Sequence, residues 1–537
     1  MFSRYVSISI YCIADSGLQY PLSVERLEVA AERMVSGSCR PVLSLERMLS
    51  RHGGHENARS VARLHCQVTE RFRPGFGGHV IRRSLATSSP LMQVKMSPQE
   101  VDKILRANQC TEILKDGPVK SFDTNTLGSN SPIEDSHAEA QLSNGGLLFG
   151  IFDGHGGAAC GQVVAKRLFD YISAAFLPTK ELSSHLEAVS VDRDGDKFNV
   201  TSSLMKRFND DFELVGELQK VYRQSYIEYL KILPKENTAE FRDVGEVLTN
   251  SFLSLDNDMS KEATAKTGNN QVNMRTVTVA MSGCVAATAF IDGAHLHVAS
   301  TGDCTAVVGS LSDTDTWIAH KLTKEHNSDN PQEVKRILAE HPEHEHHNII
   351  KGDRLLSVLA PLRAFGDFKF KWSHATIEEI LAKILGEHAY PPNYKSPPYL
   401  TARPDVTYYK LSPRDKFLVI GSDGLWDMMT PMQVVRLVGE HKHGKSVLSP
   451  FQIPNSSMKL DDIAGLLKKR QAAMTIKPHD TNAATHLIRN ALGGTAYGVD
   501  HGRLSQMLSL PGDMVRMFRD DITIQVVFFN EDYLRTC

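Results

Sequence analysis

Apolar residues along the chain follow two rhythms, and the change from one to the other marks most of its elements. Residues 147–152 form a short apolar run without helical period, which predicts a buried strand. Just beyond it, Val163, Val164, Leu168, Phe169 and Ile172 recur at helical spacing and predict a helix from 158 to 172. The same reading predicts strands over 416–421 and 522–529 and an amphipathic helix over 244–255. Ser97-Pro98-Gln99-Glu100 ahead of Val101, Ile104 and Leu105 is a capped helix start: Ser at the cap, Pro first inside, an acid three on. Residues 181–240 are charged and mostly helical in pattern, and Leu218, Tyr222, Tyr226, Tyr229 and Leu230 share a face whose spacing is that of core packing. Residues 276–289 are small and β-branched, and 295–300 alternate cleanly. With Asp292-Gly293 between them, the two runs predict a hairpin. Pro391, Pro392, Pro397 and Pro398 mark a semi-rigid loop, residues 440–512 predict a large, mainly helical insertion, and no internal repeat is visible.

Several of these strands finish in acids. The run ending at Phe152 passes straight into Asp153-Gly154-His155-Gly156-Gly157, and the run ending at Gly421 into Ser422-Asp423-Gly424. Asp520-Asp521 comes immediately before a strand, Asp303 follows 295–300, and Glu134-Asp135 adds an acidic pair upstream. A carboxylate at a strand end is held rigidly, and Gly154 lets the backbone approach a ligand closely. Taken alone, the Asp-Gly-His stretch also reads as an ordinary turn. Acids this far apart in sequence converge only if a sheet gathers their strand ends, and gathered carboxylates repel unless cations neutralise them. Two divalent metals roughly 3.5–4 Å apart would do so, and such pairs activate water and clamp a phosphoryl group.

Composition narrows the picture. The chain has 537 residues, 41% hydrophobic and 23% charged, enough for a large core and more than one average domain. A net charge of -3 gives no basis for nucleic-acid binding, and no apolar run reaches the roughly 18 residues of a transmembrane segment. Eight scattered cysteines suit a reducing compartment. Residues 1–90 hold twelve Arg and no Lys, are rich in Ser, and close with Arg83-Ser84-Leu85 before Ala86, in the manner of a matrix-protease cut. This is the composition of a mitochondrial transit peptide, although seven acids also suit a disordered leader without an import role. His295 and His297 share one strand face as metal ligands or, the favoured reading, as part of a solvated surface. His341, His344, His346 and His347, set among glutamates, read as a solvated loop or helix.

Together the stretches Glu134-Asp135, Phe152 to Gly157, Ser282-Gly283-Cys284-Val285-Ala286, Gly302-Asp303, Leu359 to Asp367, Ser422 to Asp427 and Arg519-Asp520-Asp521-Ile522-Thr523 resemble, in order, the signature set of metal-dependent type 2C protein phosphatases. A second set resembles the pyruvate dehydrogenase phosphatase branch of that family: Asn130 to Asp135, Arg363 to Trp372, Pro391 to Tyr394, Ser396 to Ala402 and Asn482 to Arg489.

The resemblance implies an α+β fold, a four-layer α-β-β-α sandwich of two packed antiparallel sheets flanked by helices, with large helical insertions. It covers a catalytic domain at 122–530; composition and pattern put a leader at 1–90 and an N-terminal helix and linker at 91–121 before it, and a tail at 531–537 after it. By position, Asp153 would bridge two Mg2+ or Mn2+ ions, the Gly154 carbonyl would bind one, Asp423 and Asp520 would complete the other, and Glu134 would act through a water. Asp303 matches an acid for a third, weaker metal, and His155 the general acid that protonates the departing serine oxygen. Metal-activated water would attack phosphoserine on the pyruvate dehydrogenase alpha subunit in the mitochondrial matrix. Partners implied are the lipoyl domain of the dihydrolipoyl acetyltransferase, with Ca2+ at that interface in some forms, and a regulatory subunit. Asn130 stands where many members carry a phosphate-binding arginine, so it becomes the substrate-binding candidate with weaker means; Thr305 replaces another common arginine. Two competing readings are a general mitochondrial Ser/Thr phosphatase and a non-catalytic pseudophosphatase scaffold, the second opposed by the intact Asp153, Asp423 and Asp520.

Overall fold

The computed structural model describes residues 6–13, 19–21, 63–70, 96–190, 204–209, 216–236, 243–451, 453, 458–512 and 514–537, and divides into two compact units. The first contains residues 1–95 and 509–519. Its strands Val6–Ile13, Gln19–Pro21 and Arg63–Glu70 form an antiparallel sheet with the first of them in the middle. The expected matrix-protease cut near Arg83 lies outside the described residues.

The second unit, residues 96–508 and 520–537, is built on two antiparallel sheets. One runs in the order Asp405–Lys410, His295–Thr301, Gly283–Asp292, Leu147–His155, Ser136–Leu142, Met205–Arg207, with the two-residue strand Phe365–Gly366 added against the start of Gly283–Asp292. The other runs Trp317–Lys321, Thr305–Leu311, Asp415–Gly421, Ile522–Phe529, Val119–Leu127, Cys110–Ile113. Period-two alternation explains how they stack. Leu418, Ile420, Val527 and Phe529 pack into one core with Phe149 and Ile151 of the facing sheet. Their neighbours Phe417, Val419, Ile524 and Val526 point the other way and pack with Val434, Leu437, Leu487 and Ile488 of two outer helices, Pro431–Lys442 and Ala483–Gly493. On the opposite flank, Ala159–Ala175 and Val244–Thr264 cover the first sheet, joined by a buried Arg167–Glu262 pair whose two hydrogen bonds measure 2.9 and 2.7 Å. Four layers result, as the resemblance implies. Gln525 Nε2 crosses the interior, donating to the backbone oxygens of Ala138 (3.2 Å) and Gly150 (3.1 Å).

Most elements fall where their patterns place them. Leu147–His155 and Ala159–Ala175 replace the predicted strand and helix with ends shifted by a few residues. Ser97 and Glu100 form the reciprocal cap of the helix Pro98–Leu105. The tyrosine face of Gly216–Glu236 is buried. The hairpin over Asp292-Gly293 is present, with Gly293 at φ +56°. Its first arm is shorter than predicted, because Met274–Met281 is a helix and the strand starts at Gly283. Asn273 caps that helix by accepting from the Arg275 N–H, Thr276 Oγ1 donates to the Glu262 carbonyl, and Val277, Val279 and Ala280 are buried. Packing against Val244–Thr264 thus overrides the β-preference of the valines and threonines.

Candidate active site

The acids singled out in the sequence lie at the ends of strands from both sheets. Asp153, Gly154 and His155 are the last residues of the central strand, opposite Val285, Cys284 and Gly283. Asp303 follows His295–Thr301 after Gly302, which turns the chain at φ +81°. From the second sheet, Asp423 opens the one-turn helix Asp423–Trp426 just past Asp415–Gly421, and Asp520 stands two residues before Ile522–Phe529. Ser422 clasps these two strand ends together: its N–H donates to the Thr523 carbonyl (3.1 Å) and its Oγ accepts from the Thr523 N–H (3.0 Å).

Three of these acids are perturbed by their neighbours. Burial, then the charges of Asp135, Asp423, Asp303 and Asp520, hold the Asp153 carboxyl well above the usual carboxylate range. Asp423 is raised in the same way by burial and by Asp303, Asp520, Asp427 and Asp135. Asp135, 4% exposed, is pushed up to about 7 by burial and by Asp521, against hydrogen bonds from Ser422 and Thr523. Asp153, Asp303, Asp423, Asp520 and Asp135 therefore lie close enough for their charges to act on one another. They do not converge on a ready-made ligand shell, since among the described residues no three His, Cys, Asp or Glu side chains are grouped to hold a metal ion. In kind, however, the residues suit a hard divalent cation. They supply oxygen donors and surplus negative charge, and Asp135 Oδ2 is buried without a hydrogen-bond partner.

Glu134 and Asn130 sit on a loop that Asp521 holds. The Asp521 carboxylate accepts from the N–H groups of Ser129 (2.5 Å), Asn130 (2.9 Å) and Glu134 (2.9 Å) and from Asn130 Nδ2 (2.9 Å). Burial opposes its charge, but these donors outweigh it and keep Asp521 below the usual range. Glu134 Oε1 then accepts from the Gly157 N–H at 2.7 Å, linking this loop to the glycines after His155. Gly154 lies so close beneath it that a Cβ there would stand 2.5 Å from the Glu134 carbonyl oxygen.

His155 points one ring nitrogen, Nε2, at Asp367 Oδ2 at 2.5 Å. Burial disfavours a charged ring, yet Asp367 first, then Asp303 and Glu134, raise its affinity for a proton above the ordinary value. The other histidines singled out stand elsewhere: His295 and His297 lie against the Tyr408 ring, and His341 stacks on Tyr399.

Comparison with known proteins gives the family. A family model described as protein phosphatase 2C matches residues 216–473. The mitochondrial [pyruvate dehydrogenase [acetyl-transferring]]-phosphatase 1 of Bos taurus is 43% identical over 452 residues, covering 81% of this chain and 83% of the relative. This chain belongs to the protein phosphatase 2C family. The phosphatase is also 38% identical to human [pyruvate dehydrogenase [acetyl-transferring]]-phosphatase 2, over 84% of this chain and 86% of that one. A protein phosphatase 2C homolog of Schizosaccharomyces pombe is 32% identical over 78% and 82%.

Four acids of the phosphatase escaped assignment in the sequence. Asp135 was overshadowed by Glu134 beside it, although adjacency to a strand start marks both equally. Asp521 was overshadowed by Asp520, and Asp427 by Asp423. Asp367 closes the signature stretch Leu359 to Asp367, but no local pattern gives it a partner: it lies in a bend with φ +51°, and only the fold brings it to His155.

Proposed function

We propose that this phosphatase is a Mg2+- or Mn2+-dependent serine/threonine protein phosphatase of the mitochondrial matrix that dephosphorylates, and so reactivates, the pyruvate dehydrogenase alpha subunit. The observation that carries the substrate is 43% identity, spread over 83% of a relative named for that activity. The observation that supports the chemistry is the cluster of mutually repelling carboxylates at the strand ends.

Asp153, Asp423, Asp520 and the Gly154 carbonyl would hold two divalent ions, with Glu134 acting through a water and Asp303 contributing to a third, weaker site. Two such cations, when bound, neutralise the clustered carboxylates and activate water for attack on phosphorus. The chain's own residues do the rest. Asp521 keeps the Glu134 loop in register with the strand ends. Asn130 Nδ2 spends one N–H on Asp521 and keeps one for a substrate phosphate oxygen, a single neutral donor in place of a bidentate guanidinium. His155 holds a proton for the seryl oxygen as the O–P bond breaks. Weak phosphate capture of this kind calls for docking away from the cluster. The lipoyl domain of the acetyltransferase core, with Ca2+ shared across the contact, and a regulatory subunit fill that need in this reading.

The test is phosphate release from the phosphorylated alpha subunit, alone and within the intact complex, in Mg2+ with and without Ca2+. Release at least about tenfold faster from the intact complex supports the reading. Equal rates on the alpha subunit and on an unrelated phosphoprotein would leave a general Ser/Thr phosphatase instead.

A further inference from the structure

The stretch Arg363 to Trp372 marks the chain as one branch of its family, yet none of its residues has been given a task in the reaction. Its backbone is held in an unusual way. Asp367 has φ +51°, in the left-handed region that a residue other than glycine enters only at an energetic cost. Such a conformation persists only where the surroundings over-determine it, and here they do. Asp367 N–H donates to the Ser282 carbonyl at 3.0 Å. Phe365–Gly366 pairs with Gly283 and Cys284, the start of the strand that runs beside His155. Asp256, on the helix Val244–Thr264, accepts from the Gly366 N–H (2.9 Å) and from Lys371 Nζ (2.8 Å to each oxygen). Lys371 Nζ also donates to the Ala364 carbonyl (2.8 Å), which closes the bend with an ion pair on its buried side.

All these contacts deliver a single carboxylate to a single place. Asp367 Oδ2 meets His155 Nε2 at 2.5 Å, and Gly283 opposes them both, where any side chain would overlap the imidazole and the carboxylate together. A carboxylate on one ring nitrogen fixes both the tilt of the imidazole and its tautomer, because the ionised acid accepts and Nε2 must donate. Nδ1 is then the nitrogen left for substrate.

We infer that Asp367 is the positioning residue of the proton-donating step, holding His155 through Nε2 so that Nδ1 is presented to the leaving seryl oxygen. The inference rests on His155 as the acid. In that step the O–P bond breaks and its electron pair stays on the seryl oxygen, which takes the Nδ1 proton. Water supplies hydroxide to phosphorus, and the proton it gives up restores the ring. Lys371 and Asp256 are the outer supports of the same arrangement.

Leaving-group dependence tests it. An alkoxide needs the proton, whereas p-nitrophenolate leaves without one. The full chain and the variants Asp367→Asn, His155→Ala and the double variant are compared on a phosphoserine peptide and on p-nitrophenyl phosphate. On the peptide, kcat should fall about 10²–10⁴-fold for His155→Ala and at least about tenfold for Asp367→Asn, with KM unchanged. On the aryl phosphate both should stay within about threefold of the parent, and the double variant should be no worse than His155→Ala, as expected of residues acting as one unit. Calorimetric Mg2+ affinity should not move in Asp367→Asn. Equal losses on both substrates, additive losses, or weakened Mg2+ binding would overturn the inference. If His155→Ala shows no substrate difference, the acid assignment itself fails; if it does and Asp367→Asn does not, only the role of Asp367 fails. Should Asp367→Asn not fold, 15N NMR of the parent ring decides: a neutral His155 protonated at Nδ1 rather than Nε2 contradicts the arrangement.

Discussion

Asp521 takes two hydrogen bonds from Asn130, one from its backbone N–H and one from its side-chain amide, both at 2.9 Å. Ser129 and Glu134 add two more, so one buried carboxylate organises the loop that carries the first acidic pair. Asp521→Asn keeps the shape but turns one acceptor oxygen into a donor facing two donors. Thermal or denaturant unfolding should show a loss of about 1–3 kcal/mol. Phosphopeptide kcat/KM should fall with it as Glu134 drifts, and unchanged kinetics would mean that the loop holds itself.

Asp423 is costly to the fold it serves. Burial and four neighbouring carboxylates oppose its charge, so Asp423→Asn should raise the Tm of the metal-free chain. The same change should lower Mg2+-dependent turnover more than about 100-fold. A variant that is both less stable without metal and still active would show that the acids do not act on one another.

The sign of the pH dependence follows from the same shifts. Asp153, Asp423 and Asp135 all bind protons more tightly folded than unfolded, Asp135 with a value raised from 3.8 to about 7. Between those values the folded chain carries the extra protons, so metal-free stability should decline as pH rises from about 4 towards 7. Mg2+ binds only the deprotonated, folded cluster, and its stabilising increment should therefore grow over the same range. Calorimetric scans at pH 5, 6 and 7.5, with and without Mg2+, measure both slopes. A Mg2+ increment that shrinks with pH would contradict the assignment.

Arg167 and Glu262 form a bidentate pair buried between two helices, with Tyr222 under the guanidinium at 4.0 Å. Glu262→Gln leaves the guanidinium charge uncompensated and should destabilise the protein by about 3–5 kcal/mol. Replacing both residues with apolar ones of similar volume should recover most of that loss. Chemical denaturation of the parent and the two variants distinguishes the outcomes, and no difference between them would show that the pair is open to water.

Much of this is legible in the sequence, for a physical reason. Strands such as Leu147–His155 and Asp415–Gly421 announce themselves through apolar runs, and the acids stand directly at their ends, so sequence adjacency carries the chemistry. Where adjacency gives out, so does the reading. Asp367 reaches His155 across a sequence separation of 212 and through a left-handed bend that no period encodes. Met274–Met281 looks like a strand because its valines and threonines say so, and becomes a helix because Glu262 and the buried face of Val244–Thr264 receive it. Asn130, the substrate-binding candidate of the sequence, shares its amide with Asp521, a partner visible only once the final strand is laid beside Val119–Leu127.

Asp153 and Asp303 leave one sheet, while Asp423 and Asp520 leave the other. Neither half of the sandwich alone contains all four acids, and each sheet buries its inner face against the other. Turnover therefore reports on the mating of the two sheets more sensitively than on the integrity of each. Mild heating, pressure or a bulky substitution near Gln525 should silence the enzyme well before its secondary structure is lost.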